Sequence, residues 1–279
     1  MHRKNLLVDV GELSRLLDGE DPPLVLDVRW QLTDPPGAGR ERYLHGHIPQ
    51  AVYAGIETVF THHTGVPGDG RHPLPDQTTL VAAVAALGVR PARAIAIVDE
   101  PGSFAAERAW WALAWVGVPS RVLDGGIDAW TAAGLPLQPG PVAAEPVPPF
   151  PVETGMRTAT ADDAATAGAD PSTVLVDVRA PDRFAGEVEP LDPVAGHIPG
   201  AINIPVAQFY TGTGALPDAG RLQALLSPAG RQPVVYCGSG VSAARVVLAL
   251  ASIGVDARLY PGSWSAWCND PARPVATGA

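Results

Sequence analysis

The chain has 279 residues, of which 46% are hydrophobic and 17% charged, and its formal net charge is −10. This composition is typical of a protein that buries a core, and the acidic balance argues against nucleic acid and anionic membranes as partners. Two cysteines form neither a disulfide framework nor a zinc set, so a reducing cytoplasm is the expected location.

Targeting and membrane signals are absent from the sequence. The first residues, MHRKNLLVDVGEL, lack the apolar core and cleavage site of a signal peptide. No stretch reaches the roughly 18 uninterrupted apolar residues of a membrane span. We therefore expect neither a secretory leader nor a membrane segment, and nothing in the composition calls for a metal or cofactor.

The predicted elements of the first half alternate between strand and helix. A capping box at Asp9 predicts a helix that ends near Leu17. The alternation continues with a strand at 24–28, a helix at 80–87 that stops at Gly88, a strand at 94–98 and a helix at 105–116. Trp110, Trp111 and Trp115 share the last helix and are interpreted as core and interface packing.

The second half repeats this alternation. It predicts strands at 174–178 and 234–236 and helices at 222–226 and 243–253. Strands that alternate with helices indicate α/β domains, each with a mainly parallel sheet and helices on both faces. In such sheets, ligands bind where the carboxyl ends of strands lead into helices.

Three pairs of motifs show that the chain is duplicated. LVLDVR at 24–29 matches VLVDVR at 174–179, and GHIPQA at 46–51 matches GHIPGA at 196–201, both 150 residues apart; DGGIDAW at 124–130 then matches PGSWSAW at 261–267. Seven prolines in residues 136–151 indicate an extended linker. We predict a first domain at 1–136, a proline-rich linker at 137–153 and a catalytic domain at 154–279.

The loop CGSGVS, residues 237–242, carries the predicted chemistry. It places Cys237 between a strand and a helix, where free backbone N–H groups and the helix dipole favour a thiolate. Gly238 and Gly240 allow the backbone to curl so that its N–H groups point inward. A structural cysteine is the alternative, which the glycines and serines disfavour.

The cysteine loop can be compared with the equivalent loop of the first copy and with the loop of cysteine phosphatases. In the first copy Asp99 stands where the cysteine would be, so that copy is expected to be catalytically silent. A cysteine phosphatase would need an arginine six positions beyond the cysteine, where this chain has Ala243. The nearest arginine is Arg245, which argues against phosphatase chemistry.

The repeated DVR and GHIP motifs, the loop CGSGVS and the closing PGSWSAW together resemble the tandem-domain rhodanese sulfurtransferases, from about Leu6 to Trp267. The loop is similar to that of the 3-mercaptopyruvate sulfurtransferase branch, because it lacks the basic residues that usually hold thiosulfate. The resemblance implies that Cys237 takes a sulfur from a small anionic donor as a persulfide. A thiophilic acceptor such as cyanide, a thiol or thioredoxin then removes that sulfur.

The resemblance also implies roles for residues around the cysteine. Ser239 would relay a proton, and the carboxylate that assists it would be Glu57, where the family usually has Asp. Arg183 would bind the carboxylate of the substrate and His72 would line the pocket. Gly238, Gly240, Val241 and Ser242 would complete the binding loop, with Ser242 capping the helix or closing the loop.

Other residues are expected to be structural. Arg29 and Arg179 recur in both copies and are predicted to pair with carboxylates, while His47 and His197 are predicted to position loops. Cys268 lacks a glycine loop and is interpreted as structural. His62 and His63 are interpreted as part of a solvated loop rather than a metal site.

One position departs from the family pattern. The mercaptopyruvate branch has a second arginine about nine residues after the equivalent of Arg183, where this chain has Leu191 or Asp192. Three readings stay open: mercaptopyruvate binds weakly, Arg71 substitutes, or the donor is a different molecule. A persulfide relay or a non-catalytic rhodanese module in sulfur trafficking is the alternative to an enzyme.

Overall fold

The computed structural model describes residues 2–153, 155–225 and 231–278. Thr154, at the predicted domain boundary, and Leu226, at the end of the predicted helix at 222–226, lie outside these ranges. The chain folds into two compact units. The first contains Met1–Thr61, Leu74–Met156 and Thr211–Leu216, and the second contains His62–Pro73, Arg157–Tyr210 and Pro217–Ala279.

The first unit is built on a parallel sheet with the strand order β1-β5-β4-β2-β3. At its centre β2 and β4 pair along their lengths, from Leu24 opposite Ile95 to Asp27 opposite Val98. The elements are β1 (Leu7–Val8), α1 (Val10–Leu17), β2 (Leu24–Asp27), α2 (Ala38–His45), β3 (Val52–Tyr53), α3 (Ile56–Val59), α4 (Gln77–Ala85), β4 (Ile95–Val98), α5 (Ala105–Trp115), β5 (Arg121–Leu123) and α6 (Gly126–Ala132).

The second unit has a parallel sheet with the order β7-β6-β8-β9. Its two central strands pair from Thr173 opposite Gln232 to Asp177 opposite Tyr236. The elements are α7 (Ala161–Ala167), β6 (Thr173–Asp177), α8 (Pro181–Ala185), β7 (Ile202–Asn203), α9 (Ala219–Leu225), β8 (Gln232–Tyr236), α10 (Ser242–Ser252), β9 (Arg258–Leu259) and α11 (Ser263–Trp267).

The two sheets share one topology, which confirms the duplication. The order β9-β8-β6-β7 repeats β5-β4-β2-β3, and every paired strand named here runs parallel to its neighbour. A parallel bridge between Thr158 and Leu259 stands where β1 pairs with β5 in the first unit. The predicted α/β class with mainly parallel sheets is therefore confirmed.

Side-chain caps determine where several helices begin. The Asp9 carboxylate accepts a hydrogen bond from the Glu12 N–H at 2.8 Å, as the predicted cap requires. Helix α4 begins at Gln77, one turn before the predicted start, because Asp76 caps it through the Thr79 N–H at 2.9 Å. Gly88 follows this helix with φ +87°, a conformation that favours glycine.

Large aromatic side chains fill the cores. Trp264 and Trp267 pack with Tyr236 in the second unit. In the first unit Trp110 and Trp111 are buried, which confirms the predicted core packing. No helix within the described ranges is long and apolar enough to cross a membrane.

The predicted linker lies along the first unit without forming a helix or strand. The Gln138 N–H donates to the His47 carbonyl at 2.8 Å, and the Val147 N–H donates to the Ala85 carbonyl at 2.9 Å. These bonds satisfy backbone groups that proline-interrupted chain cannot pair within itself. The predicted linker is therefore an extended segment that is hydrogen-bonded to the first unit.

Each unit also contains a short segment from the opposite half of the sequence. Residues 62–73 belong to the second unit, where the Arg71 N–H donates to Ser265 Oγ at 3.1 Å. Residues 211–216 belong to the first unit, where Asp124 accepts from the Leu216 N–H at 2.8 Å. The first of these exchanges brings first-half residues to the cysteine loop.

Candidate active site

Cys237 lies directly after β8, at the carboxyl end of the sheet where ligand sites form in α/β folds. The residue is 1% exposed, and its Sγ accepts a hydrogen bond from the Gly240 N–H at 3.1 Å. Gly240 has φ +80°, so the backbone turns back on the sulfur without the strain that a side chain would add. The loop therefore directs one backbone N–H donor at the sulfur.

Helix α10 begins at Ser242 and follows the loop without interruption. The position that precedes the helix is Val241, which is 5% exposed, and no side chain caps this helix. The cap expected of Ser242 is therefore not formed, because Ser242 is already the first helical residue. In the first turn the Ala244 N–H donates to the Val241 carbonyl at 3.1 Å.

Ser263 binds the backbone of Cys237, and the sequence analysis did not identify this residue. Its fully buried Oγ accepts from the Cys237 N–H at 3.1 Å and donates to the Tyr260 carbonyl at 2.9 Å. Ser263 has φ +53°, a left-handed conformation that few non-glycine residues adopt. The aligned residue of the first copy is Gly126, with φ +62°. A serine in place of a glycine at this aligned position is the sequence signal that could have identified Ser263.

His72 and Ser239 form the second part of the site. His72 Nδ1 lies 2.8 Å from Ser239 Oγ, and both residues are 5% exposed. This contact depends on the segment 62–73, which packs within the second unit. A hydroxyl paired with an imidazole two residues from the cysteine has the composition of a proton relay.

Arg183 lies in the last turn of α8 and forms ion pairs with two carboxylates. Its Nη2 is 2.6 Å from Glu189 Oε1 and 3.3 Å from Asp192 Oδ2. The Glu189 carboxylate also accepts from the N–H groups of Leu191 and Asp192, both at 3.1 Å, which closes the turn at 189–192. Ion pairs with Glu189 and Asp192 therefore hold the Arg183 side chain in place.

The arginines of the repeated DVR motif are structural, as predicted. Arg179 Nη2 donates to Asp177 Oδ2 and to the Gly196 carbonyl, both at 2.6 Å. In the first copy Arg29 Nη2 donates to the Gly46 carbonyl at 2.7 Å and its Nε pairs with Asp27. Each arginine therefore joins a strand end to the GHIP segment.

The repeated histidines of GHIP also position loops, which confirms their predicted role. His197 Nδ1 lies 2.8 Å from the Phe184 carbonyl, and its ring stacks on Phe184 at a centroid distance of 3.8 Å. His47 makes the same two contacts with Tyr43, at 2.9 Å and 4.1 Å. His197 therefore holds the residue that follows Arg183.

Glu57 lies on the short helix α3 of the first unit and is half-buried. The other predicted site residues, Cys237, Gly238, Ser239, Gly240, Val241, Ser242, Arg183 and His72, all belong to the second unit. The action of Glu57 on Cys237 and Ser239 therefore stays a prediction.

Asp99 shows what the equivalent loop of the first copy does. It follows β4, and its Oδ2 accepts from the Ala106 N–H in the first turn of α5 at 3.0 Å. A carboxylate of the chain itself thus accepts from one N–H group at a helix start that corresponds to the start of α10. This internal anion supports the expectation that the first copy is silent.

The remaining candidates take no part in this site. Burial raises the pKa of the Cys268 thiol to about 11, and the charge of Asp192 adds to the effect. His62 and His63 are exposed, and no cluster of three or more metal-ligating side chains occurs within the described ranges. Arg245, the arginine nearest to the position that a phosphatase would require, donates through Nε to the Phe209 carbonyl at 3.2 Å.

Comparisons with known proteins identify the family of this chain. The family model described as the rhodanese-like domain matches residues 9–133 and 160–270. A putative thiosulfate sulfurtransferase of Mycobacterium tuberculosis is 43% identical over 99% of this chain and 98% of its own. A probable 3-mercaptopyruvate sulfurtransferase of Pseudomonas aeruginosa is 44% identical over 91% of this chain and 92% of its own.

A solved structure shares the architecture over nearly its whole length. The 3-mercaptopyruvate sulfurtransferase of Escherichia coli superposes with a TM-score of 0.79 at 32% identity, covering 93% of this chain and 99% of its own. Two matched ranges, two sheets of one topology and relatives that span both copies agree with one another. The chain belongs to the rhodanese-like domain family and carries two copies of that domain.

Proposed function

We propose that this protein is a sulfurtransferase that moves a sulfane sulfur from a small anionic donor to a thiophilic acceptor through a persulfide on Cys237. The observation that carries the proposal is the Gly240 N–H directed at the Cys237 sulfur at the start of α10. A backbone donor at this place favours the Cys237 thiolate, both as the nucleophile that attacks the donor and as the leaving group when the acceptor removes the sulfur.

The reaction with 3-mercaptopyruvate divides into two transfers. The Cys237 thiolate attacks the sulfur of the donor, an S–S bond forms, and the C–S bond breaks with its electron pair on carbon. The resulting enolate takes a proton and leaves as pyruvate. An acceptor thiolate then attacks the outer sulfur of the persulfide, which regenerates the Cys237 thiolate.

The proton for the enolate is assigned to the pair of His72 and Ser239. Their 2.8 Å contact allows Ser239 to donate a proton and to be supplied with another by the imidazole. Glu57 is proposed to support this transfer with its carboxylate. Arg183 is proposed to bind the donor carboxylate through Nη1, because its Nε and Nη2 already donate to the Glu189 carboxylate.

We propose 3-mercaptopyruvate as the preferred donor. The loop 237–242 contains no basic residue, whereas a dianion such as thiosulfate is better held by cations. The acceptor is proposed to be a thiol, with thioredoxin as the protein candidate. A reducing cytoplasm is the proposed location, because both cysteines are free and Cys237 acts as a thiolate.

The test is a comparison of kcat/KM for 3-mercaptopyruvate and thiosulfate with cyanide as the acceptor, and with Cys237→Ser as the inactive control. A preference for 3-mercaptopyruvate supports the whole proposal, and a preference for thiosulfate corrects the donor alone. Negligible turnover with both donors would refute the enzyme and favour a persulfide relay or a binding module. Full activity of Cys237→Ser would end the proposal.

A further inference from the structure

A cavity of about 370 Å³ lies at the amino-terminal edge of the first unit's sheet, where β1, β4 and β5 begin. Residues 4–5, 91–95 and 119–121 line it, and all of them belong to the first unit. The loop of Asp99 is at the opposite, carboxyl-terminal edge of the same sheet. The volume is within the range of pockets that hold small organic molecules.

The lining of this cavity is basic, although the chain as a whole is acidic, with a net charge of −10. Lys4, Arg93 and Arg121 line it, and none of the described residues around it is an aspartate or a glutamate. Arg121 pairs with Glu12, from outside the lining, at 2.6 Å. Lys4 and Arg93 have no carboxylate partner within the described part of the chain, so two positive charges remain without a counter-charge.

Ser120 contributes a buried hydroxyl group to the same lining. The residue is 6% exposed, and its Oγ has no hydrogen-bond partner among the described residues. Buried polar atoms in folded proteins nearly always have a partner, which points to a partner from outside the chain. Because Ser120 lines the cavity, a bound anionic oxygen would be a suitable acceptor for this hydroxyl.

Strand register identifies the equivalent positions of the second unit. Arg121 lies opposite Ala96 in the first sheet, and Arg258 lies opposite Val234 in the second. Arg258 is therefore the equivalent of Arg121, and it forms the corresponding ion pair, with Asp163 at 3.1 Å. Because both copies contain this ion pair, Arg121 is a feature of the fold rather than of the cavity.

Two other lining residues differ between the copies. The same register places Ala257 at the position of Ser120, so the second copy has a methyl group in place of the hydroxyl. The bridge at Thr158 corresponds to the first pair of β1 with β5, which aligns Gly155 with Lys4. The unpartnered hydroxyl and one of the two cations without a counter-charge are therefore specific to the first copy.

We propose that the first domain binds a small organic phosphate in this cavity, with Lys4 and Arg93 contacting the phosphoryl group and Ser120 donating a hydrogen bond to it. A phosphate monoester carries about −1.5 to −2 charges at pH 7, which matches the two cations. Pro91 and Pro119 provide apolar surface for the organic part. The site does not involve Cys237, and it gives a binding function to the copy that lacks the cysteine.

The first experiment measures binding to the full chain by titration calorimetry at pH 7.5 with phenyl phosphate, inorganic phosphate and benzoate. Inorganic phosphate lacks the apolar group of phenyl phosphate, and benzoate carries only one negative charge. We expect phenyl phosphate to bind about tenfold more tightly than either of the other probes. Inorganic phosphate of equal affinity would overturn the organic ligand, and benzoate of equal affinity would overturn the phosphate.

The second experiment locates the bound phenyl phosphate. Lys4→Gln and Arg93→Gln are each expected to raise its Kd about tenfold. Arg231→Gln is the matched control, because Arg231 is exposed and precedes Val234 by as many residues as Arg93 precedes Ala96. An unchanged Kd in the double variant of Lys4 and Arg93 would overturn the proposal.

The third experiment distinguishes a ligand contact from a structural hydroxyl. Ala257 is 2% exposed, which shows that the fold accommodates a buried alanine at this position. We expect Ser120→Ala to raise the Kd of phenyl phosphate about fivefold, without lowering the thermal unfolding midpoint of the protein alone, because the hydroxyl has no partner to lose. A lower midpoint with an unchanged Kd would overturn the role of Ser120.

The fourth measurement separates this site from the sulfurtransferase reaction. Cys237→Ser is expected to bind phenyl phosphate with the Kd of the parent, since none of the residues that line the cavity belongs to the cysteine loop. A parent that turns over neither sulfur donor but binds phenyl phosphate through Lys4 and Arg93 would refute the proposed function and support this site. An active enzyme that does not bind phenyl phosphate would overturn the site alone.

Discussion

His72 Nδ1 lies 2.8 Å from Ser239 Oγ, so a histidine of the first half of the sequence contacts the cysteine loop of the second half. The contact exists because residues 62–73 pack within the second unit. It pairs a hydroxyl with an imidazole beside the sulfur that the proposed reaction uses.

Removal of the Ser239 hydroxyl should separate the two donors. Ser239→Ala is expected to lower kcat with 3-mercaptopyruvate about 100-fold, because its enolate leaving group needs a proton. Sulfite leaves thiosulfate without that proton, so turnover with thiosulfate should fall much less. Ser252→Ala, at the far end of α10, is the control, and equal losses with both donors would contradict the proton role.

Sulfur should be loaded on one cysteine only. After incubation with 3-mercaptopyruvate at pH 7.5, mass spectrometry is expected to find a gain of one sulfur atom on Cys237 and none on Cys268. Burial keeps the pKa of the Cys268 thiol at about 11, so this residue stays protonated. Arg245 and Arg258 lie between the two cysteines, so tryptic peptides separate them, and a persulfide on Cys268 would argue for a relay between them.

The strained serine behind the nucleophile should respond differently to two substitutions. Ser263→Ala leaves the buried Cys237 N–H without its acceptor and is expected to lower the free energy of unfolding by about 1–3 kcal/mol. Ser263→Gly loses the same hydrogen bond but relieves the left-handed conformation, which returns about 1 kcal/mol. Urea unfolding tests the order of stabilities, and both variants should lose activity. If Ser263→Ala proved as stable as Ser263→Gly, the left-handed conformation at position 263 would not be strained.

The carboxylate of Glu57 should matter for chemistry rather than for folding. Glu57→Gln is expected to lower kcat about 100-fold, whereas Glu57→Asp keeps the carboxylate and should retain most of the activity. The exposed Glu41→Gln of the same unit is the control. Steady-state kinetics and thermal unfolding measure the two effects, and a fully active Glu57→Gln enzyme would remove Glu57 from the mechanism.

The buried Asp177–Arg179 pair should be a determinant of stability. Asp177→Asn leaves the Arg179 guanidinium, whose side chain is 2% exposed, without its main counter-charge. The expected loss in the free energy of unfolding is about 3–5 kcal/mol. The Arg179 guanidinium carbon lies 4.7 Å from the centroid of the Trp264 ring. Tryptophan fluorescence therefore reports on the surroundings of this pair during urea unfolding.

Two further variants complete this test. The double variant Asp177→Asn with Arg179→Met removes both charges and should recover part of the lost stability. The exposed Glu187→Gln should change the free energy of unfolding by less than about 0.5 kcal/mol. A loss in Asp177→Asn no larger than that of Glu187→Gln would mean that the pair does not stabilise the fold.

The sequence by itself determined the two-copy α/β fold, and it predicts Cys237 as the nucleophile and a silent first copy. Periodic apolar runs and repeated motifs are local signals, and a cysteine followed by glycines between a strand and a helix favours a reactive thiol over a structural one. The arginines of DVR and the histidines of GHIP could also be assigned a structural role, because both copies contain them and only one copy carries the cysteine.

Tertiary structure alone decided which distant residues meet. The contact of His72 with Ser239, the ion pair of Arg71 with Asp192 and the hydrogen bond of Cys237 to Ser263 join residues that lie 167, 121 and 26 positions apart. Side-chain periodicity records which face of an element is buried but not which element covers it. The placement of residues 62–73 in the second unit could therefore not be predicted from the sequence, because it depends on packing against α11 and produces no periodic pattern.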